Sequence, residues 1–240
     1  MILIIGDVHG QFQVLNEQIQ FAESFCECTI DAVIVLGDMG IYEHSLSRYF
    51  VTVSQCFKRP VYFLDGNHEE FSRFESLVES YKDFMTHLPR GQVTRICDIN
   101  FLSLGGACYM DALNSPPGSE IRDQDIDLCL ANRPEDVDLI ISHDCPSGIG
   151  VPGTPGFEFY GKPGFARSQE LVARFKPRKW FFGHHHRWFN ARIENTEFLG
   201  LPESWKGFGL LDAAMNYRKV EHQVAIGQTW LQWLIKKLFG

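Results

Sequence analysis

Met1-Ile2-Leu3-Ile4-Ile5-Gly6-Asp7-Val8-His9-Gly10 is the stretch on which the reading of this chain turns. Its apolar run, Ile2 to Ile5, stops abruptly at Gly6. Four apolar residues bounded by glycine predict a buried strand, and Ile is a strong strand former. Asp7 and His9 follow where the strand stops, the place where an α/β sheet presents its ligand chemistry. Two apart in an extended segment, they project to the same side. A carboxylate and an imidazole on one side make half of a metal site.

Four later apolar runs end in the same way. Residues 32–36 run into Gly37-Asp38-Met39-Gly40, and 61–64 into Asp65-Gly66-Asn67-His68-Glu69. Residues 139–142 lead to His143-Asp144-Cys145-Pro146, and 179–182 to Gly183-His184-His185-His186. Periodicity predicts helices over 12–25, 45–56, 71–84, 122–131 and 169–175. Strand alternating with helix is the pattern of right-handed crossovers feeding a mostly parallel sheet. A single strand is expected over 96–104, then short antiparallel strands at 192–194, 197–201, 208–212 and 219–225. Residues 148–164 hold six glycines and three prolines, a composition no helix survives. That stretch falls in a loop or lid region of about 107–165, and a Trp-rich helix is expected over about 228–239. No repeat or linker divides the chain, so 1–240 reads as a single domain.

The totals exclude several function classes. A net charge of -8, from 22 basic and 30 acidic residues, opposes nonspecific nucleic-acid binding. A cationic metal site could still draw phosphates locally. No apolar run approaches the ~20 residues of a membrane span. A strand beginning at residue 2 leaves no room for a cleaved leader, which makes the cytoplasm the expected location. The seven cysteines lack the spacing of a disulfide framework. Cys26 and Cys28 are expected as reduced thiols.

In a parallel sheet the C-terminal strand ends share one edge, so Asp7, His9, Asp38, Asn67, His68, His143, His184 and His186 can converge. Singly, each has a bland account: a turn-capping Asp, a hydrogen-bonded His, a chance His cluster. Together they are rich enough for two metals, with one carboxylate bridging cations about 3.5–4 Å apart. Oxygen and nitrogen donors without thiolate suit Mn, Fe or Zn. Two such cations serve in-line attack on phosphorus. Strand alternation turns His185 away from this set.

The ordered blocks Asp-x-His, Gly-Asp, Gly-Asn-His-Glu, a lone His and Gly-His-x-His resemble the calcineurin-like metallophosphoesterase superfamily over residues 1–215. The resemblance implies an α/β fold: a four-layer αββα sandwich of mixed sheets flanked by helices. It implies one metal held by Asp7, His9 and His186, a second held by Asn67, His143 and His184, and Asp38 bridging. A metal-bridging hydroxide would attack phosphorus while His68, off the metals, donates a proton to the leaving oxygen. Glu69 and Asp65 would support the site from behind.

At the second block this chain has Gly37-Asp38-Met39-Gly40-Ile41-Tyr42, without the second Asp and the Arg of the protein-phosphatase branch. It is more similar to small bacterial and phage phosphoesterases, sharing Gly-Asp-x-Gly, Gly-Asn-His-Glu-x-Phe and Gly105-Gly106-Ala107. Ser142-His143-Asp144-Cys145-Pro146-Ser147-Gly148-Ile149 also resembles a stretch of lariat debranching enzymes. Those enzymes typically carry Cys where this chain has Asp7. The expectation is therefore a phosphatase or phosphodiesterase acting on a phosphate ester, the alternatives being a nuclease, a cyclic-nucleotide phosphodiesterase, or a non-catalytic scaffold docking through Trp230 and Trp233. Arg122, Lys162, Arg167 and Arg187 are the candidate phosphate-holding cations.

Overall fold

The computed structural model describes residues 1–108, 116–156 and 158–226. The expected helix at 228–239 and part of the expected lid lie outside these described residues. Two six-stranded mixed sheets pack face to face. The first contains β1 (Ile2–Ile5), β2 (Ala32–Val35), β3 (Val61–Phe63), β4 (Thr86–His87), β11 (Gly207–Leu211) and β12 (Tyr217–Glu221). Their spatial order is β12-β11-β1-β2-β3-β4, parallel from β1 to β4 and antiparallel at β11 and β12. The second contains β5 (Val93–Ile96), β6 (Ile99–Leu104), β7 (Leu139–Ser142), β8 (Lys179–Phe182), β9 (Phe189–Ile193) and β10 (Thr196–Gly200). Its order is β5-β6-β7-β8-β10-β9, with β6, β7, β8 and β10 parallel.

The continuous apolar runs are explained by burial on both faces. In β1, Ile2 and Ile4 enter the layer between the sheets, where they join Ile34, Phe101, Ile141, Phe181 and Leu199. Leu3 and Ile5 point the other way, into a cluster with Phe12, Leu15 and Ile19 of α1 (Phe12–Cys26). That outer face is also covered by α2 (Glu43–Leu46) and α3 (Phe74–Ser80). On the far side, α4 (Asp123–Leu130) and α5 (Ser168–Phe175) set Ile126, Leu171 and Phe175 against Leu104, Ile140 and Trp180. Helix, sheet, sheet, helix is the expected four-layer sandwich. Burying each Ile, Leu or Phe stabilises it by roughly 1.5–3 kcal/mol.

Several local expectations are corrected. The helix read over 45–56 is the short α2 followed by a π-helical segment, Ser47–Thr52. The strand read over 96–104 is a hairpin, β5 turning into β6 at Cys97 and Asp98, both with positive φ (48° and 67°). The helix read over 71–84 is confined to Phe74–Ser80, and the two-residue β4 was not anticipated. Cys26 and Cys28, expected as thiols, form a disulfide at the end of α1, with their Cα atoms 5.2 Å apart.

Candidate functional site

Five parallel strands release the chain along one edge of the sandwich. Asp7 follows β1, Asp38 follows β2, and Asn67 and His68 follow β3. His143 follows β7 and His184 follows β8. The first three come from one sheet and the last two from the other, so the site straddles the seam between them.

Asp7, His9 and His186 form one cluster whose potential ligand atoms lie within 4.8 Å of one another. His186 Nε2 stands 3.0 Å from Asp7 Oδ2 and 3.3 Å from His9 Nε2. Asp7, Asp38 and His143 form a second such cluster, which shares Asp7. His143 Nδ1 donates to the Leu36 carbonyl at 2.7 Å, which fixes the ring with Nε2 turned inward. That atom faces Asn67 Oδ1 at 3.0 Å and Asp38 Oδ1 at 3.4 Å, a gathering of acceptors suited to a cation. The His184 ring centroid is 5.0 Å from that of His143. All seven expected ligands are thus brought together. His68 is exposed beside them, its ring centroid 5.5 Å from that of His9.

The two carboxylates are oriented by backbone donors. Asp38 Oδ1 accepts from the N–H groups of Asn67 (2.9 Å) and His68 (2.8 Å), and Asp7 Oδ1 accepts from that of His184 (2.9 Å). A Cβ on Gly66 would lie 2.0 Å from Asp38 Oδ1, so glycine there lets the loop close on the carboxylate. Asp38 Oδ2 is buried and has no hydrogen-bond partner among the described residues; His9 Nε2 is 3.8 Å away. A buried, uncompensated carboxylate oxygen costs free energy that a cation would recover. His9, Asp38, His184 and His186 all adopt positive φ, between 46° and 62°. Outside glycine this backbone costs on the order of 1 kcal/mol per residue and clusters at functional sites.

Electrostatics agree with the geometry. Burial opposes ionisation of Asp7, but the His186 hydrogen bond and the His143, His186 and His9 charges hold its carboxyl well below the usual range. Burial likewise opposes ionisation of Asp38, and His143 and His9 outweigh it. Burial disfavours a proton on His186, yet its bond to Asp7 and the charges of Asp7 and Glu203 raise it to about 9. A cation at this position would compete with that proton.

Glu69 and Asp65 sit behind the ligands. Glu69 accepts from the N–H groups of Met39, Gly40 and Ile41, pinning the loop that carries Asp38. Burial and the Asp38 charge push the Glu69 carboxyl well above its ordinary value, while N–H groups of Ile41 and Gly66 pull it down. Asp65 takes two hydrogen bonds from Arg90, at 2.9 and 2.6 Å, and one contact with His87 at 3.3 Å. His185 does point away from the cluster, and it is buried with Nε2 2.9 Å from Asp144 Oδ1. Asp144 also accepts from the N–H groups of Cys108 and Cys145, which ties together the loops after β6, β7 and β8.

Sequence reasoning missed Glu203 and Trp205. Glu203 Oε1 lies 3.8 Å from His186 Nδ1, and the Trp205 ring centroid is 6.3 Å from that of His9. Both follow β10, with the Ser204 N–H on the Asp7 carbonyl at 2.8 Å. No motif marks them; only pairing of β10 with β8 brings that segment to the edge. Among the expected phosphate-holding cations, Arg167 is engaged by Asp127 and Glu170, each at 2.9 Å. Arg187 folds onto the His185 carbonyl at 3.1 Å, and Arg122 lies 3.8 Å from Glu120.

A family model described as calcineurin-like phosphoesterase matches residues 1–188. A lariat debranching enzyme of Entamoeba histolytica is 23% identical over 241 residues, covering 83% of this chain and 68% of its own length. The lariat debranching enzyme of Arabidopsis thaliana is 23% identical over 254 residues, covering 86% of this chain and 60% of that protein. The crystal structure of TT1561 of Thermus thermophilus is similar in fold, with a TM-score of 0.60, 12% identity and coverage of 92% and 97% of the two chains.

Proposed function

The chain belongs to the calcineurin-like phosphoesterase family of hydrolases, and on that premise we propose that it is a dinuclear-metal phosphoesterase acting on a phosphomonoester or phosphodiester. The observation that carries this reading is the buried Asp38 Oδ2, unpartnered among the described residues and set among imidazoles. Asp7, His9 and His186 would hold one ion, and Asn67, His143 and His184 the other, with Asp38 shared. The donor set, oxygen and imidazole without thiolate, suits Mn, Fe or Zn. Bound there, the metals supply an activated water nucleophile and stabilise negative charge on the phosphoryl oxygens.

The residues of the chain do the rest. The Nδ1 donation from His143 to Leu36 holds the ring with Nε2 turned inward. Glu69 keeps the Asp38 loop closed, so the Asp38 carboxylate would need no reorganisation during reaction. His68 is exposed at the rim beside His9, positioned to give a proton to the departing oxygen.

A nucleic-acid phosphodiester is the second reading, favoured by the two lariat debranching relatives. The chain spans 68% and 60% of their lengths, and its net charge of -8 opposes a long polynucleotide footprint. Hydrolysis of p-nitrophenyl phosphate against bis-p-nitrophenyl phosphate, with Mn²⁺ and with chelator, tests both readings. Chelator-sensitive turnover is expected, and the preferred ester separates monoesterase from diesterase. A folded protein inactive on both esters with every metal would favour a scaffold.

A further inference from the structure

A groove of about 810 Å³ opens beside His9 and runs between the start of α1 and the π-helical segment. This volume suits a small ligand of nucleotide size. Arg48 and Lys58 line it, with His44 beside them, against one carboxylate, Glu17.

Arg48 differs from several arginines of this acidic protein. Arg59, Arg73, Arg90, Arg133 and Arg167 are each held by carboxylates at 2.9 Å or less. Arg48 is exposed and, among the described residues, its guanidinium has neither a hydrogen bond nor an ion pair. Lys58 gives one N–H to Gln20 Oε1 at 3.1 Å and keeps the others.

Two backbone features reinforce the positive field. The first turn of α1 contains no acidic residue, and its N-cap, Gln11, makes no side-chain capping bond. The positive end of that helix dipole therefore has no carboxylate within its first turn, which favours an anion nearby. Opposite, the Val53 N–H closes on the Arg48 carbonyl at 2.9 Å in the widened π turn. Such turns are rare and concentrate at functional positions. Gln13 and Gln55 also line the groove, adding amides suited to hydroxyls.

We propose that this groove is a second phosphate subsite, and that the substrate is a small ester bearing another phosphate besides the one hydrolysed. The proposal rests on the phosphoesterase reading and names the substrate class of that site. The reacting phosphate lies at the cluster around His9. The second phosphate lies on Arg48 and Lys58, with a polar, hydroxylated body between them.

The test is competition against p-nitrophenyl phosphate hydrolysis by the Mn²⁺-loaded protein. Adenosine 3′,5′-bisphosphate is expected to inhibit with a Ki at least about tenfold below that of adenosine 5′-monophosphate. Arg48→Ala should raise only the bisphosphate Ki, by about tenfold. It should leave kcat/KM for p-nitrophenyl phosphate within about twofold, and Arg48→Lys should keep most of the preference. Equal Ki values in the wild type, or an Arg48→Ala effect equal for both nucleotides, overturns the subsite. A deoxyadenosine dodecamer binding more than about tenfold tighter than the bisphosphate overturns the small-ester assignment. If the wild type shows no metal-dependent turnover, the phosphoesterase reading fails. Calorimetric titration with the same two nucleotides then still decides whether Arg48 selects a second phosphate.

Discussion

His143 and Leu36 bind the two sheets at the edge that gathers the ligand candidates: the imidazole, at the end of β7, donates through Nδ1 to the Leu36 carbonyl, at the end of β2, at 2.7 Å. Replacement by alanine removes a ligand candidate and leaves a buried carbonyl unpaired, at a cost of about 1–3 kcal/mol. We expect His143→Ala to lower the urea midpoint of chelator-treated protein and to lose one equivalent of tightly bound metal. An unchanged midpoint would mean that the seam does not depend on this bond.

Removing the metals should expose the cost of Asp38. Chelator-treated wild type should gain several degrees in melting temperature on addition of Mn²⁺. Asp38→Asn should lose that gain and most of its turnover. A Mn²⁺-induced gain in Asp38→Asn equal to that of the wild type would mean that Asp38 holds no metal.

His68→Ala should separate metal binding from turnover. Its ring is exposed and lies outside every group of potential metal ligands found among the described residues. We expect full metal content by elemental analysis and a loss of about 10²–10⁴-fold in kcat. Metal loss accompanying the activity loss would make His68 a ligand.

Asp65 should contribute an acid-sensitive part of stability. Burial raises its pKa, but His87 and Arg90 overcome this and hold it at about 2, against 3.8 for the free group. A depressed folded value stabilises above the unfolded pKa, so the contribution is intact at neutral pH. It is lost as the pH falls from about 4 towards 2, on the order of 2 kcal/mol in all. Urea midpoints of apo wild type and Asp65→Asn at pH 6 and pH 3 test this. The fall should be steeper in the wild type; parallel falls would mean that Asp65 titrates normally.

The strand ends were legible because chemistry interrupts apolar runs at Asp7, Asp38, Asn67, His143 and His184. The division into two sheets was not. Ile2 and Ile4 face one layer and Leu3 and Ile5 another, but a uniformly apolar strand carries no mark of which side is which. The hairpin at Cys97-Asp98 lacks the Asn-Gly or Asp-Gly signal that usually reveals positive φ, so β5 and β6 read as one strand. The apolar positions of the π-helical segment, such as Phe50, fit an α-helical period well enough to hide the extra residue in its turn. Glu203 and Trp205 reach the site through sheet packing alone, far from any motif. His185 was read correctly as turned away, but its pairing with Asp144 depends on the docking of neighbouring strands.

The seam also dictates an order of events. Asp7 and His186 meet across 179 positions of sequence, and neither cluster exists until both sheets have formed and docked. Loop closure over such spans is slow, and it must precede any gathering of the ligands. Metal capture would therefore come last in folding. Ions held there would act as a latch on the finished sandwich, retarding its opening while leaving the rate of its assembly nearly untouched.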